Sequence, residues 1–283
     1  MKKLIISGLA MFMSLTSVMA QEETGIGNHL GWGVGFGTEG FNASIATDLT
    51  QYAELEFGVN YAPGFSRKSD GGVFHSPEKG AKRQYLHYEG NREATIDVKT
   101  SINRATLDFK GSVYPFATNE NFSSDLFVSL GISFASKEIA TIKGSCTSQG
   151  ISYENEEDKD KPLFIRAGKY LLPIDKTNGE LVANGSCQVN SVRPYVGLGY
   201  GRLVPKNKLG FRVEAGCQFA GSVKVFYDGD NKDNLVKSGY IKNDGEVNLL
   251  SKYNIDDDST PKKFMNFFSV YPVLKVSLRG KFF

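Results

Sequence analysis

The sequence predicts an all-β protein, an up-and-down antiparallel barrel of eight strands that closes on itself within a membrane. Three observations predict this fold: eight segments in which apolar and polar residues alternate, a small polar face opposite a face of large apolar side chains, and long connections that all emerge at one rim. Alternation with a period of two places successive side chains on opposite faces of a strand, whereas helical spacing would scatter the charges around every face.

The N-terminal segment, residues 1–20, is predicted to be a secretory signal peptide. Lys2 and Lys3 precede a short apolar stretch, and the small residues that follow it predict cleavage between Ala20 and Gln21. The stretch is too short for a comfortable transmembrane helix, and the alternative is a buried N-terminal helix. No later segment has about 18 uninterrupted apolar residues, so a membrane role for the barrel domain, 21–283, requires strands.

The predicted strands follow one another in a regular order. They cover 30–37, 41–46, 52–61, 104–113, 126–134, 192–200, 209–219 and 270–282. The third segment shows the pattern, because Leu55, Phe57 and Val59 share one face while Glu54 and Glu56 share the other. In every segment the apolar face is free of charged residues, which favours strands with one apolar face.

Alternation alone fits both a soluble barrel with an apolar interior and a membrane barrel with a polar interior. The interior of an eight-stranded barrel is only just wide enough for side chains, so the face rich in Gly and Ser is predicted to be concave. The face rich in Phe, Leu, Trp and Tyr then contacts lipid. Charges of both signs on the concave face can pair, as buried charges require. The predicted lumen charges are Glu54, Glu56, Arg104, Asp108, Lys110, Arg193, Arg212, Glu214, Lys275 and Arg279.

The connections between the strands supply an independent indication. The long ones, 62–101, 137–190 and 220–266, are the third, fifth and seventh in order, so all of them emerge at the same rim. Short turns at one rim and long loops at the other are typical of outer-membrane barrels, with the long loops extracellular. Ten strands remain an alternative, in which Leu163–Leu172 pairs with Ile139–Lys143.

Three parts of the sequence resemble those of a known family. The signal peptide, the stretch Arg193–Gly201 and the closing strand that ends Lys281-Phe282-Phe283 are similar to those of small Gram-negative outer-membrane barrels, the eight-stranded group with the OmpA-like and opacity-type proteins. The resemblance implies a monomer in outer-membrane lipid. It also implies that Phe283 helps the barrel-assembly machinery to recognise the chain, although strand parity places Phe282 on the outward face.

Other sites find little support in the sequence. Residues 21–283 carry 31 basic and 31 acidic residues, a balance that gives no support to nucleic-acid binding. His29, His75 and His87 lack the convergent spacing of metal ligands, and the acidic runs 228–233 and 256–258 lack a calcium-loop pattern. No nucleophile–base signature or phosphate-binding loop is present, so neither an enzyme, a metal site nor a cofactor is predicted.

The three cysteines allow at most one disulfide within the chain. Cys217 falls on the outward apolar face, whereas Cys146 and Cys187 flank the long connection 137–190 and are predicted to form a bridge in an oxidising compartment. Three free thiols are the alternative, because sequence alone does not establish the Cα spacing.

The predicted function is non-enzymatic, a structural or surface-interaction role that the long extracellular loops carry toward an unknown surface ligand. The alternative is a small porin or channel for solutes. A lumen filled by side chains argues against open conduction.

Overall fold

The computed structural model describes residues 29–75, 87–88, 92–93, 95–152, 162–167, 170–248 and 270–282. The predicted cleavage site at Ala20 and Gln21, the acidic run 256–258 and Phe283 lie outside these residues. The strands are β1 (Leu30–Gly37), β2 (Gly40–Thr50), β3 (Ala53–His75), β4 (His87–Tyr88), β5 (Arg92–Glu93), β6 (Thr95–Val113), β7 (Leu126–Ala135), β8 (Glu138–Thr147), β9 (Ile151–Ser152), β10 (Leu163–Ala167), β11 (Tyr170–Thr177), β12 (Glu180–Gln188), β13 (Val192–Tyr200), β14 (Leu209–Phe219), β15 (Lys224–Tyr227) and β16 (Val270–Lys281). A 3-10 turn covers Phe122–Asp125, and one short helix, α1, covers Lys232–Lys237 in this part of the chain.

Eight of these strands close into the predicted barrel. The order is β1, β2, β3, β6, β7, β13, β14 and β16, with every neighbouring pair antiparallel. The first and last strands pair from Gly31 opposite Lys281 to Gly37 opposite Lys275, which closes the sheet. The eight-stranded closed fold is therefore confirmed. Within the described residues, no helix has the length and apolarity needed to cross a bilayer.

A second tier of sheet stands above one rim of the barrel, the rim at which the long connections emerge. Strands β3 and β6 continue past the barrel wall and pair with each other as far as Gly72 opposite Thr95. There β6 also pairs with β8, β8 with β12, β12 with β11, β11 with β10, and β10 with the far end of β3. These six strands close a second ring above the first, and β15 adds to β12.

The prediction that these three long connections are loops was therefore wrong. Much of 62–101 is strand, 137–190 contains four strands that belong to the second ring, and 220–266 contains β15 and α1. The ten-stranded alternative was also wrong, because Leu163–Ala167 pairs with β3 beyond the barrel wall and Ile139–Lys143 pairs with β6 and β12. Alternation does continue into this region, where Ile96 and Val98 alternate with Asp97 and Lys99, but the partners that form the second ring are distant in the sequence.

The interior changes from polar to apolar between the two tiers. The barrel lumen contains buried charges, whereas the second tier encloses a cluster of buried apolar residues that includes Val73, Ile96 and Leu172. A β-bulge between Ala62 and Phe65 shifts the register of β3 against β6. Beyond it odd-numbered residues of β3, such as Val73, point inward, because an extra residue in one strand reverses which side chains face the core.

The apolar core of the second tier gives a first prediction. Leu172 is fully buried in that core, so Leu172→Ala should destabilise the second tier by about 2–5 kcal/mol through lost burial and a residual cavity. We expect faster proteolysis of the second tier on intact cells, while the barrel keeps its heat-resistant mobility in electrophoresis. Leu172→Met conserves volume and should behave like the wild type. Unchanged proteolysis of Leu172→Ala would contradict this core.

Candidate functional site: the lumen and the second tier

The centre of the lumen is an ion-pair cluster around Asp108. This carboxylate lies 3.1 Å from Nζ of Lys110 and 3.5 Å from Nζ of Lys275. It also accepts hydrogen bonds from Asn60 at 2.8 Å and Ser133 at 2.7 Å. The carboxylate and both ammonium groups are buried, so their charges are tolerable only because they pair within the lumen.

Two arginines complete the packing across the lumen. The guanidinium of Arg212 lies 3.2 Å from Glu214 and donates to Ser112 and to the backbone carbonyl of Gly201. The guanidinium of Arg279 lies 2.8 Å from Oε1 of Glu56. These arginines are among the largest fully buried side chains of the described residues, so they fill the space that a pore would leave open.

Glycines on the concave face create the room for these side chains. A Cβ at Gly33 would lie 2.5 Å from Nη1 of Arg279. A Cβ at Gly216 would lie 2.3 Å from the hydroxyl of Tyr195, whose ring also carries Nζ of Lys110 at 3.8 Å from its centroid. The tyrosine hydroxyl donates to Glu214 at 2.5 Å. The small face of each strand thus makes room for the large polar side chains of the neighbouring strands.

The end of the lumen below the second tier is closed by a turn residue that the sequence analysis missed. Glu39 lies between β1 and β2, yet it is buried and accepts a hydrogen bond from Gln218 at 2.6 Å. Arg104 and Lys275 approach its carboxylate at 3.8 and 3.7 Å. Arg193 lies at the same rim and donates to the carbonyls of Asn190 and Ser136. No alternation marks a turn residue, so only its acidic character could have drawn attention to Glu39.

The opposite end of the lumen is closed by the turn between β13 and β14. Leu203 and Val204 are buried there, packed with Ala46 of β2. The backbone N–H of Leu203 donates to Glu54 at 2.7 Å, and the hydroxyl of Tyr114 donates to the same carboxylate. Arg202 lies 3.6 Å from Glu54 and 3.2 Å from Asp125. We call residues 201–208 the plug, since they seal the lumen at this end.

The outward face of the barrel is apolar and exposed. Phe109 is 52% exposed, and on the neighbouring strands it lies opposite Phe57 and Ile132. The larger exposed apolar side chains of this belt include Phe36, Phe41, Leu130, Phe134, Leu198, Phe211 and Leu274. A soluble protein rarely exposes so much contiguous apolar surface. Charges inside and phenylalanines outside are the arrangement of a barrel in hydrocarbon.

The second tier carries an open cavity of about 590 Å³ between β10, β11 and α1. Leu163, Leu235 and Tyr240 contribute apolar surface, whereas Asp175 and Asp230 contribute carboxylates. The hydroxyl of Tyr227 donates a hydrogen bond to Asp175. Burial raises the pKa of the Asp175 carboxyl above its ordinary value, and the nearby charge of Asp230 adds to that rise. The cavity is an open, concave surface lined by both apolar and charged side chains.

The predicted disulfide between Cys146 and Cys187 was wrong, because all three cysteines are free thiols. On paired strands Cys146 lies opposite Leu181 and Cys187 lies opposite Ala140. Six residues of strand therefore separate the two levels, about 20 Å, whereas a disulfide needs a Cα separation below about 7 Å. Cys187 packs into the second-tier core instead, and burial raises the pKa of its thiol to about 11.

The histidines and Phe282 are the remaining predicted candidates. His29 precedes β1, and its Nδ1 lies 2.8 Å from Oδ2 of Asp48. The side chains of His75 and His87 lie outside the described residues. In the described part of the chain, no group of three or more His, Cys, Asp or Glu side chains could hold a metal ion. Phe282 is exposed beyond β16, and its backbone N–H donates to Leu30.

Comparisons with known proteins place the chain near two solved barrels. No family model and no curated protein matches it. It is similar to the crystal structure of CarO2 from Acinetobacter baumannii, with 20% identity, a TM-score of 0.43, and coverage of 90% of this chain and 98% of that chain. The corresponding values for the crystal structure of CarO from the same organism are 16%, 0.36, 90% and 97%. Neither a family nor a function follows from likeness at this level.

Proposed function

We propose that this chain is an outer-membrane β-barrel protein of a Gram-negative envelope, non-enzymatic and closed to solutes, that presents its second tier to a surface partner. The observation that carries the proposal is the inversion of the barrel, with ion pairs buried in the lumen and a belt of large apolar side chains exposed outside. For a protein in water, covering such a belt would require a large partner, whereas a bilayer covers it on all sides.

The closed lumen supports a role other than conduction. Arg193, Arg212, Arg279 and Lys110 are fully buried within it, and the plug seals one end. The lumen carboxylates pair with cations instead of facing an open cavity, which also supports a non-enzymatic role. The second tier, with its concave cavity of about 590 Å³, is the part that would meet a partner outside the cell.

Conductance separates this proposal from the small-porin alternative. The purified protein in planar bilayers should give no stable ohmic steps, because ion pairs and arginine side chains occupy the lumen. A general porin recorded under the same conditions is the positive control. Stable conductance from protein whose heat-resistant fold has been verified would replace the proposal with the channel.

Topology is a separate prediction. The turn between β11 and β12 contains Asn178 and Gly179 at φ values of 48° and 80° and is exposed, so it tolerates an insertion. An epitope tag placed there should react with antibody on intact cells. The same tag after Asn207, on the exposed edge of the plug, should react only after permeabilisation. The opposite labelling would reverse the barrel in the membrane.

A further inference from the structure

Three lysines form a row across the outer face of the second tier. Lys68 of β3 lies directly opposite Lys99 of β6, and Lys99 lies directly opposite Lys143 of β8. All three side chains are exposed, and none has an ion-pair partner within 4.0 Å among the described residues. Directly opposite side chains on neighbouring strands have Cβ atoms about 5 Å apart, and like charges at that spacing repel. The row is thus a concentrated positive site, and the nearest acidic side chains on β3 and β6, Asp70 and Asp97, lie one outward position away.

A row of hydroxyl groups runs beside the lysines on the side of the membrane. Ser66, Ser101 and Thr141 occupy the outward positions two residues closer to the barrel on the same three strands. Adjacent outward positions on a strand are about 7 Å apart. Ammonium and hydroxyl donors together suit the oxygens of a phosphate group, which accepts several hydrogen bonds at once. The row of Asp70 and Asp97 lies on the far side of the lysines, away from the barrel.

The height of the row suits a lipid headgroup. Large exposed apolar side chains on β3 extend from Tyr61, which lies opposite Ala105 and is 51% exposed, to Phe65 at the bulge, which is 63% exposed. Lys99 is six residues beyond Ala105, a rise of about 15 Å for a strand tilted by about 40°. A lysine stem of four carbons can lean back toward the membrane and bring its ammonium to the headgroup layer. The lipid-facing surface and the lysine row therefore follow one another along β3 and β6.

We propose that Lys68, Lys99 and Lys143, with the adjoining hydroxyl row, bind the phosphate groups of a phosphorylated glycolipid of the outer leaflet, of the lipid A type. This inference rests on the proposed membrane location. The phosphates of the lipid supply a counter-charge to the lysine row, and its acyl chains cover the aromatic belt directly below. Binding fixes a glycolipid molecule at one side of the barrel, where β8 stands above β7.

The test measures binding of lipid A by the mature protein in mild detergent, with bisphosphorylated and dephosphorylated lipid A as the two probes. The variant carries Lys68→Ala, Lys99→Ala and Lys143→Ala, and the charge-matched control carries Lys208→Ala, Lys232→Ala and Lys237→Ala at the plug and helix α1. Each lysine near a membrane surface contributes appreciably to attraction of anionic lipid, so we expect binding of bisphosphorylated lipid A to weaken at least about tenfold in the variant. The control should bind like the wild type, and dephosphorylated lipid A should bind all three proteins weakly.

Three results would overturn the inference: undiminished binding by the triple variant, equal loss in the control, or equal binding of the two lipids by the wild type. A triple Lys→Arg variant should retain binding, and a single Lys99→Glu variant provides the same test if the triple variant folds poorly. Insertion into phosphatidylcholine vesicles without lipid A is measured separately. Failure to insert would refute the proposed membrane location, whereas insertion without phosphate-dependent binding would refute the lysine site alone.

Discussion

Replacing Asp108 by Asn should destabilise the barrel by about 3–5 kcal/mol, the largest effect expected of any single substitution in the lumen. The change removes the negative charge between Lys110 and Lys275, which lie 3.1 and 3.5 Å from the carboxylate. It also turns an amide N–H₂ toward neighbours that themselves donate, since Asn60 and Ser133 both donate to Asp108. Lys110 and Lys275 would then keep only the longer contacts to Glu214 and Glu39, at 3.8 and 3.7 Å. Urea unfolding of the protein in lipid vesicles measures the loss.

The control for this substitution is Asp70→Asn on the exposed outer face of the second tier, which should change stability by less than about 0.5 kcal/mol. A double-mutant cycle with Lys110→Met adds a sharper criterion. Each single change leaves the buried cluster with one excess charge, whereas the double change restores the balance, so the double variant should be more stable than the sum of the two losses predicts. Additive losses would show that Asp108 and Lys110 do not act as a pair.

Placing a charge on the outward belt should have the second-largest effect. Phe109 lies midway between Ala105 and Val113 among the outward residues of β6, and Phe109→Arg should cost about 2–4 kcal/mol because the guanidinium enters the hydrocarbon near the bilayer midplane. Loss of heat-resistant mobility and a lower urea midpoint in vesicles measure the effect.

Ser101→Arg supplies the matched control. It lies on the same strand and the same outward face, eight residues further along and beyond the apolar belt. The substitution should leave the stability of the barrel unchanged, because the arginine side chain meets headgroups or water. An equal loss of stability at the two positions would mean that they do not differ in depth in the membrane. It would contradict the assignment of the belt to lipid.

The barrel itself could be predicted from the sequence because its signal is local. In the third strand, for example, Leu55, Phe57 and Val59 alternate with Glu54 and Glu56, so a few residues are enough to assign its two faces. The width of an eight-stranded barrel then decides which face is inside, since only the Gly- and Ser-rich face fits the concave side. The buried charges of the lumen follow from that parity, and the structure places them there.

Only the tertiary structure decided the second tier, the two seals of the lumen and the state of the cysteines. The second ring depends on the bulge between Ala62 and Phe65 and on pairings such as β3 with β10, which join residues far apart in the chain. Glu39 and Leu203 lie in turns, where no periodicity reports which side chain is buried. Cys146 and Cys187 flank one connection, but their separation depends on the register of β8 against β12. Strand parity is a property of neighbouring residues, whereas register between strands is set by distant partners, and this is why the first could be predicted and the second could not.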